Sequence, residues 1–188
     1  MKTLFVCRHG QSQWNRQGYL QGQLDSPLTA LGETQMQQLA GAARQWNIGK
    51  VYSSDLGRAI HSARICAKAL QVEHQIIDGL RERHFGNWQG RDIRQLPEYQ
   101  TFRQYCYQDA DLIPAQTGES SKQLLHRYQR ALLSVAQRNE NGNVLVIAHG
   151  DALNCLLGQW QPIVDLQNAQ GLKLQYANHA LVWDDFID

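Results

Sequence analysis

The chain has 188 residues, 43% of them hydrophobic and only 19% charged, with a formal net charge of +1. This supplies one full core, and the near-neutral balance excludes the basic footprint of a nucleic-acid binder or an anionic-membrane binder. No run of about 20 apolar residues is present, and Arg8 interrupts the first apolar run before a signal sequence can develop, so a cytoplasmic chain is expected.

Strands and helices are predicted to alternate, which defines an α/β fold class. Leu4 to Cys7 reads as a short buried strand. Residues 10–29 are polar and glycine-containing and are predicted to be a long loop. Thr29 is placed to cap a helix from about Leu31 to Trp46, with Leu31, Leu39 and Ala42 among its buried positions. Lys50 to Ser53 is a second strand. Ser54 or Asp55 is placed to cap a helix to about Leu70, whose inward face carries Leu56, Ala59, Ala63 and Ala67. Gln75 to Ile77 is a third strand.

Residues 84–118 break the alternation with six aromatic residues and two prolines, and are predicted to form an inserted cap with a short helix around Ile93 to Tyr105. Gly118-Glu119-Ser120 opens a long helix to about Arg138. A turn at Asn141-Gly142-Asn143 precedes a central strand, 144–148. Asp151 is expected to cap a helix through Leu157. The tail alternates as two strands joined near Asn178, an antiparallel pair at the sheet edge. The expected domain is a single unit over residues 1–188.

Two strands end in the same way. The first runs into Arg8-His9-Gly10, and the central one runs into His149-Gly150. A third exit, VYSSDLGRA, places Arg58 in the first turn of its helix. In a parallel sheet these exits open on one crevice. Two imidazoles and two guanidinium forks beside helix N-termini suit the charge and geometry of a phosphoryl group in transfer. The other five histidines, such as His61 and His84, lack this context and are expected to be structural or at the surface.

Other chemistries fit poorly. Cys7, Cys66, Cys106 and Cys155 are expected to be buried reduced thiols. A cysteine phosphatase needs an arginine six residues after its nucleophile, and here those positions hold Gln13, Val72, Leu112 and Gln161. Trp14 spoils a serine-hydrolase elbow, no phosphate-binding P-loop motif is present, and Asp109 and Asp111 follow no apolar strand. A zinc site at His9 and His149 is opposed by the clustered arginines and lacks a third ligand at suitable spacing.

The set RHGQSQWN (Arg8 to Asn15), LQGQLDSPLTALG (Leu20 to Gly32), VYSSDLGRAIHSA (Val51 to Ala63), LRERHFGNWQG (Leu80 to Gly90), GES (Gly118 to Ser120) and VIAHGD (Val146 to Asp151) resembles the histidine phosphatase superfamily, the phosphoglycerate-mutase-like enzymes. The resemblance implies a three-layer α/β/α sandwich with a mostly parallel central sheet, an antiparallel edge strand and a small inserted cap. It implies that His9 is the nucleophile that becomes phosphohistidine. Arg8, Arg58 and His149 match the family's phosphate-binding partners, Asn15 helps to hold the phosphate, and Gln21 and Gly22 lie on the same lip. Glu82 matches the general acid and base. Gln11 stands where the family more often has Glu, and His61 where a small polar residue is common.

The activity implied is hydrolysis of a small phosphorylated metabolite, a phosphoric monoester hydrolase that needs no metal or other cofactor. The alternatives are a cofactor-dependent phosphoglycerate mutase and a non-catalytic phosphate-binding module. The cap offers few basic residues (Arg91, Arg94 and Arg103), which favours the phosphatase. No nucleic-acid or membrane partner is expected, and both a monomer and a homodimer are compatible with the sequence. His9 has to be neutral to attack, so its other ring nitrogen is expected to donate to a carbonyl. Glu82 is expected to have a raised pKa from burial among the cap aromatics.

Overall fold

The computed structural model of the chain describes residues 2–139, 142–160, 162 and 164–187. Six strands, β1 (Lys2–Arg8), β2 (Ile48–Ser53), β3 (Glu73–Ile76), β4 (Asn143–Ala148), β5 (Gly171–Ala177) and β6 (Ala180–Ile187), form one sheet in the order β3-β2-β4-β1-β5-β6. The first four are parallel, and β5 and β6 add an antiparallel pair. Asn178 and His179, both at positive φ, make the tight turn between them, the twist that two-residue hairpins need.

Strands buried on both faces explain the continuous apolar runs. Leu4 and Val6 of β1, with Val144, Val146 and Ala148 of β4, face a core closed by α5 (Ser121–Arg138) and α6 (Gly150–Leu157). Phe5, Cys7, Leu145 and Ile147 face the opposite core, closed by α2 (Ala30–Ala43) and α3 (Gly57–Leu70). The result is the expected three-layer α/β/α sandwich. A third, smaller cluster around Phe85, Leu96, Tyr99 and Phe102 lies in the segment predicted to be a cap, which carries α4 (Pro97–Tyr105). All four cysteines are free and buried. Among the described residues no helix is long and apolar enough to cross a membrane.

Several local expectations need correction. The loop at 10–29 contains a short helix, α1 (Gln13–Gln17), because Ser12 and Asn15 form a reciprocal capping box and Gly18 ends the turn at φ 81°. In α2 the buried stripe is Gly32, Met36, Leu39, Ala40 and Ala43. Leu31 is 53% exposed and Ala42 is exposed, since both lie off that stripe at helical spacing. Neither Ser54 nor Asp55 caps α3; Asp25 of the preceding loop accepts from the Arg58 backbone N–H instead. His149 holds the N-cap position of α6 without a side-chain bond, and Asp151 sits in the first turn. Of the turn predicted at 141–143, residue 141 lies outside the described residues.

Candidate active site

Strand register brings the three exits level. Arg8 pairs with Ala148 across β1 and β4, and Ser53 pairs with Ile147 across β2 and β4. The His9 backbone N–H then donates to the Ala148 carbonyl at 3.0 Å. The His9 and His149 rings come to 5.3 Å between centroids. A cavity of about 220 Å³ opens beside them, lined by His9, Arg8, Asn15, Gln21, Gly22, Arg58 and Glu82, among others. The structure thus gathers the sequence-predicted residues at one place, with His149 the exception on the wall itself: it is fully buried, and Arg58 bridges it to His9.

Hydrogen bonds assign the tautomers. Nδ1 of His9 lies 2.7 Å from the Gly10 carbonyl, which can only accept, so this nitrogen carries the proton. Nε2 of the same ring accepts from Nε of Arg58 at 3.0 Å. In His149 the roles reverse: Nδ1 accepts from Nη2 of Arg58 at 3.2 Å, and Nε2–H donates to Ser54 Oγ at 2.7 Å. Burial first, and then the charges of Arg58 and Arg8, hold the His9 pKa well below the usual imidazole value. Burial, followed by Arg58, His9 and Arg8, does the same to His149. Both rings are neutral at physiological pH.

Arg58 is fully engaged. Besides the two imidazoles, Nη1 donates to the Leu24 carbonyl at 2.7 Å and to Asp25 Oδ1 at 3.0 Å, and Nη2 donates to the Gly22 carbonyl at 2.8 Å. Gly22 itself needs no Cβ: its φ is +54°, and an added carbon would run into the Gln89 side-chain amide. Arg8 is less committed. Nη1 donates to the Leu166 carbonyl at 2.7 Å, but Nε, buried, has no partner among the described residues. Its guanidinium packs against Gly150, where an added Cβ would stand 3.2 Å from both Cζ and Nε. That close approach explains why glycine follows the second histidine.

Asn15 Oδ1 accepts from the Ser12 backbone N–H at 3.1 Å and from Asn168 Nδ2 at 3.4 Å, which leaves its own amide N–H groups for a ligand. Asn168 Nδ2 also donates to the His9 carbonyl at 2.9 Å. Gln21 Oε1 accepts from Ser26 Oγ at 3.1 Å.

Glu82 is 8% exposed and is anchored on the first turn of α6. Oε1 accepts from the backbone N–H groups of Arg83 at 2.8 Å and Ala152 at 2.9 Å, and Oε2 accepts from that of Asp151 at 3.1 Å. Burial, then the nearby Asp151 carboxylate, raises its pKa, against the pull of the backbone donors and Arg58. The direction matches the sequence expectation; the neighbouring charge responsible is Asp151. Behind it Asp151 is ion-paired with the fully buried Arg83 and accepts from the Tyr107 hydroxyl at 2.6 Å. Arg83 continues to the Glu119 carbonyl and Ser121 Oγ, both at 2.9 Å.

Asp25, Ser54, Arg83 and Asn168 were not singled out by sequence reasoning. Each acts through a contact distant in sequence. Asp25, Ser54 and Arg83 lie inside the motif segments, whereas Asn168 lies outside them.

A phosphoryl-transfer site is the class this arrangement defines: uncommitted and bridging cations around a neutral imidazole, with a buried carboxyl on the same cavity. The chain belongs to the histidine phosphatase superfamily (branch 1), whose profile matches residues 4–186. It is 36% identical over 158 residues to the protein named probable phosphoglycerate mutase GpmB of Escherichia fergusonii, covering 84% of this chain and 74% of that one. A mycobacterial glucosyl-3-phosphoglycerate phosphatase, solved with VO3, superposes with a TM-score of 0.84 at 26% identity, over 98% of this chain and 97% of the other. A phosphoserine phosphatase of Entamoeba histolytica, solved as a mutant with phosphoserine, gives 0.81 at 26% identity, over 100% and 97%.

Proposed function

We propose that the protein is a cytoplasmic, metal-independent phosphatase that hydrolyses a small phosphomonoester through a phosphohistidine on Nε2 of His9. In this reading residues 84–118 cap a single catalytic domain. The observation that carries the reading is the 2.7 Å bond from Nδ1–H of His9 to the Gly10 carbonyl. It leaves the Nε2 lone pair as the nucleophile, and it stabilises the ring cation that forms once Nε2 bonds to phosphorus.

In the first step Nε2 attacks phosphorus and the ester P–O bond breaks. Glu82, protonated, gives its proton to the departing oxygen. Arg58 exchanges its contact with Nε2 for the phosphoryl oxygens, joined by Arg8 and the Asn15 amide. Their charge lies where the equatorial oxygens need it. His149, neutral and bonded to Ser54, holds Arg58 from behind. In the second step Glu82 takes a proton from water, the water oxygen bonds to phosphorus and the P–N bond breaks. Orthophosphate leaves and His9 is again neutral.

No metal enters this scheme. The ring nitrogens that would coordinate one, Nε2 of His9 and Nδ1 of His149, both accept from a single guanidinium, and its charge repels a dication.

A phosphoglycerate mutase is the second reading, favoured by the names of the bacterial relatives. The charges around the cavity argue for the phosphatase. The cap cation on its wall, Arg103, faces Asp165 at 3.6 Å, and Arg83 is committed to Asp151. Neither of these two arginines is left uncompensated for a glycerate carboxylate.

The test is incubation with labelled phosphomonoester followed by denaturation. An acid-labile, base-stable label that disappears in His9→Ala, with orthophosphate as product, is expected. Transfer between the hydroxyls of monophosphoglycerate, primed by bisphosphoglycerate and faster than phosphate release, would select the mutase. Retention of activity within about tenfold in His9→Ala, roughly 1.4 kcal/mol of barrier, would remove His9 from the role. Vanadate should inhibit and EDTA should not; EDTA-sensitive activity restored by a divalent ion would overturn the metal-free scheme.

A further inference from the structure

Arg103 of α4 and Asp165 of the segment before β5 both line the catalytic cavity, with Nη2 and Oδ1 3.6 Å apart. Their side chains stay 37% and 69% exposed, and among the described residues neither side chain makes a hydrogen bond. Nearby cations differ: Arg83, just before the cap, is buried in its own ion pair, Arg94 of the cap is pinned to Asp92 at 2.7 Å, and Arg91 does not line this cavity. Opposite charges from two separate elements are thus held on the wall of the reaction cavity, close enough to compensate each other but not hydrogen-bonded.

A third polar group shares that wall. Asn154 of α6 is 4% exposed, and its Oδ1 has no donor among the described residues. Around these groups Phe85 and Tyr99 supply apolar and aromatic surface.

We propose that Arg103 and Asp165 select a zwitterionic substrate, a phosphorylated α-amino acid, with its carboxylate on Arg103 and its ammonium on Asp165. This deepens, and rests on, the phosphatase reading. An α-amino acid carries its two charges one carbon apart, so it can lie head to tail along the Arg103–Asp165 pair and give each residue the hydrogen bonds it lacks. The ammonium has three donors to place, and Asn154 offers an unused acceptor. A ligand with a carboxylate alone meets Arg103 but also the Asp165 anion, and a ligand with an ammonium alone meets the reverse. A neutral alkyl phosphate leaves the pair unsatisfied. Discrimination therefore comes from penalties against each partial match as well as from attraction to the full one. The small cavity fits a compact substrate of this class. Hydrolysis by the two steps above yields the free hydroxy-amino acid and orthophosphate.

The experiment compares kcat/KM for four phosphomonoesters with alkyl leaving groups: O-phosphoserine, 3-phosphoglycerate, O-phosphoethanolamine and glycerol phosphate. O-phosphoserine at least tenfold above each of the others is expected. Asp165→Asn should shift the ratio toward 3-phosphoglycerate, and Arg103→Gln toward O-phosphoethanolamine. Because each readout is a ratio within one protein, partial loss of overall activity does not obscure it, and the wild-type panel alone decides if a variant fails to fold. A flat panel, or one led by a singly charged or neutral ester, overturns the proposal. Turnover of 4-nitrophenyl phosphate that depends on His9 reports separately on the phosphatase reading, so a flat panel with that activity intact discards only the zwitterion.

Discussion

Arg58 donates from Nε to the ring nitrogen of His9 that faces the reaction, at 3.0 Å. The same side chain reaches His149 and three loop carbonyl or carboxylate groups, so its fork is aimed before any ligand arrives. Arg58→Lys keeps the charge and loses the fork, and is expected to lower kcat by about 100-fold or more. Asp25→Asn removes only the charge that fixes the fork and should cost about tenfold. Steady-state kinetics on an aryl phosphate checks both, and equal effects would show that Asp25 does more than orient the arginine.

Glu82 is the group whose proton the first step uses. Glu82→Gln should reduce turnover of alkyl phosphates by about 100-fold or more and of 4-nitrophenyl phosphate much less, since that leaving group needs little protonation. Its raised pKa extends activity upward in pH, and the alkaline limb of the wild-type profile should report its ionisation. Asp151→Asn removes the anion that helps raise that pKa. The alkaline limb should then move to lower pH, and an unmoved limb would show that burial alone sets it.

Gly150 lies under the Arg8 guanidinium. Gly150→Ala places a carbon 3.2 Å from Cζ and Nε, tighter than an ordinary contact, and the arginine has to yield. Inhibition by vanadate should weaken by about tenfold or more while the urea midpoint changes little. The reverse pattern, lost stability with intact vanadate affinity, would mean that the backbone moves and Arg8 stays.

The two buried imidazoles predict a stability profile. Their folded pKa values lie well below 6.5, whereas the unfolded chain titrates near about 6.5. As pH falls through that value the unfolded state takes up protons that the native state refuses, so stability falls toward acid and is fully present above it. Glu82 acts in the opposite sense, from the ordinary carboxylate value of 4.5 upward, because burial and the Asp151 carboxylate raise its pKa. Urea midpoints should drop between about pH 7.5 and 5.5, and less steeply in His9→Asn. A midpoint that is flat over this range would show that the rings titrate in the folded protein as they do in the unfolded chain.

The sheet, both helical layers and the gathering of Arg8, His9, Arg58 and His149 were legible from apolar runs ending in charged or imidazole residues, whereas Glu82 was legible only through the family resemblance. Such runs report burial directly, and register then forces their ends together. Less legible were features decided by distant partners. Leu31 is apolar yet exposed because α2 is oriented by the Gly32, Met36 and Leu39 stripe. Asp25 replaces Ser54 as the cap of α3, which frees Ser54 for His149. Asp151 serves Arg83 and Tyr107 rather than its own helix. A side chain's neighbours in space, not its neighbours in sequence, settle each of these.

The close seating of Arg8 on Gly150 joins the opening motif and the first turn of α6 into a single steric joint. Whatever occupies one position fixes how much bulk the other tolerates, so drift at either site should be steered by its counterpart. A shorter cation at position 8 would be the permissive change that lets alanine in at 150, and the order in which the two substitutions arise would decide whether the intermediate survives.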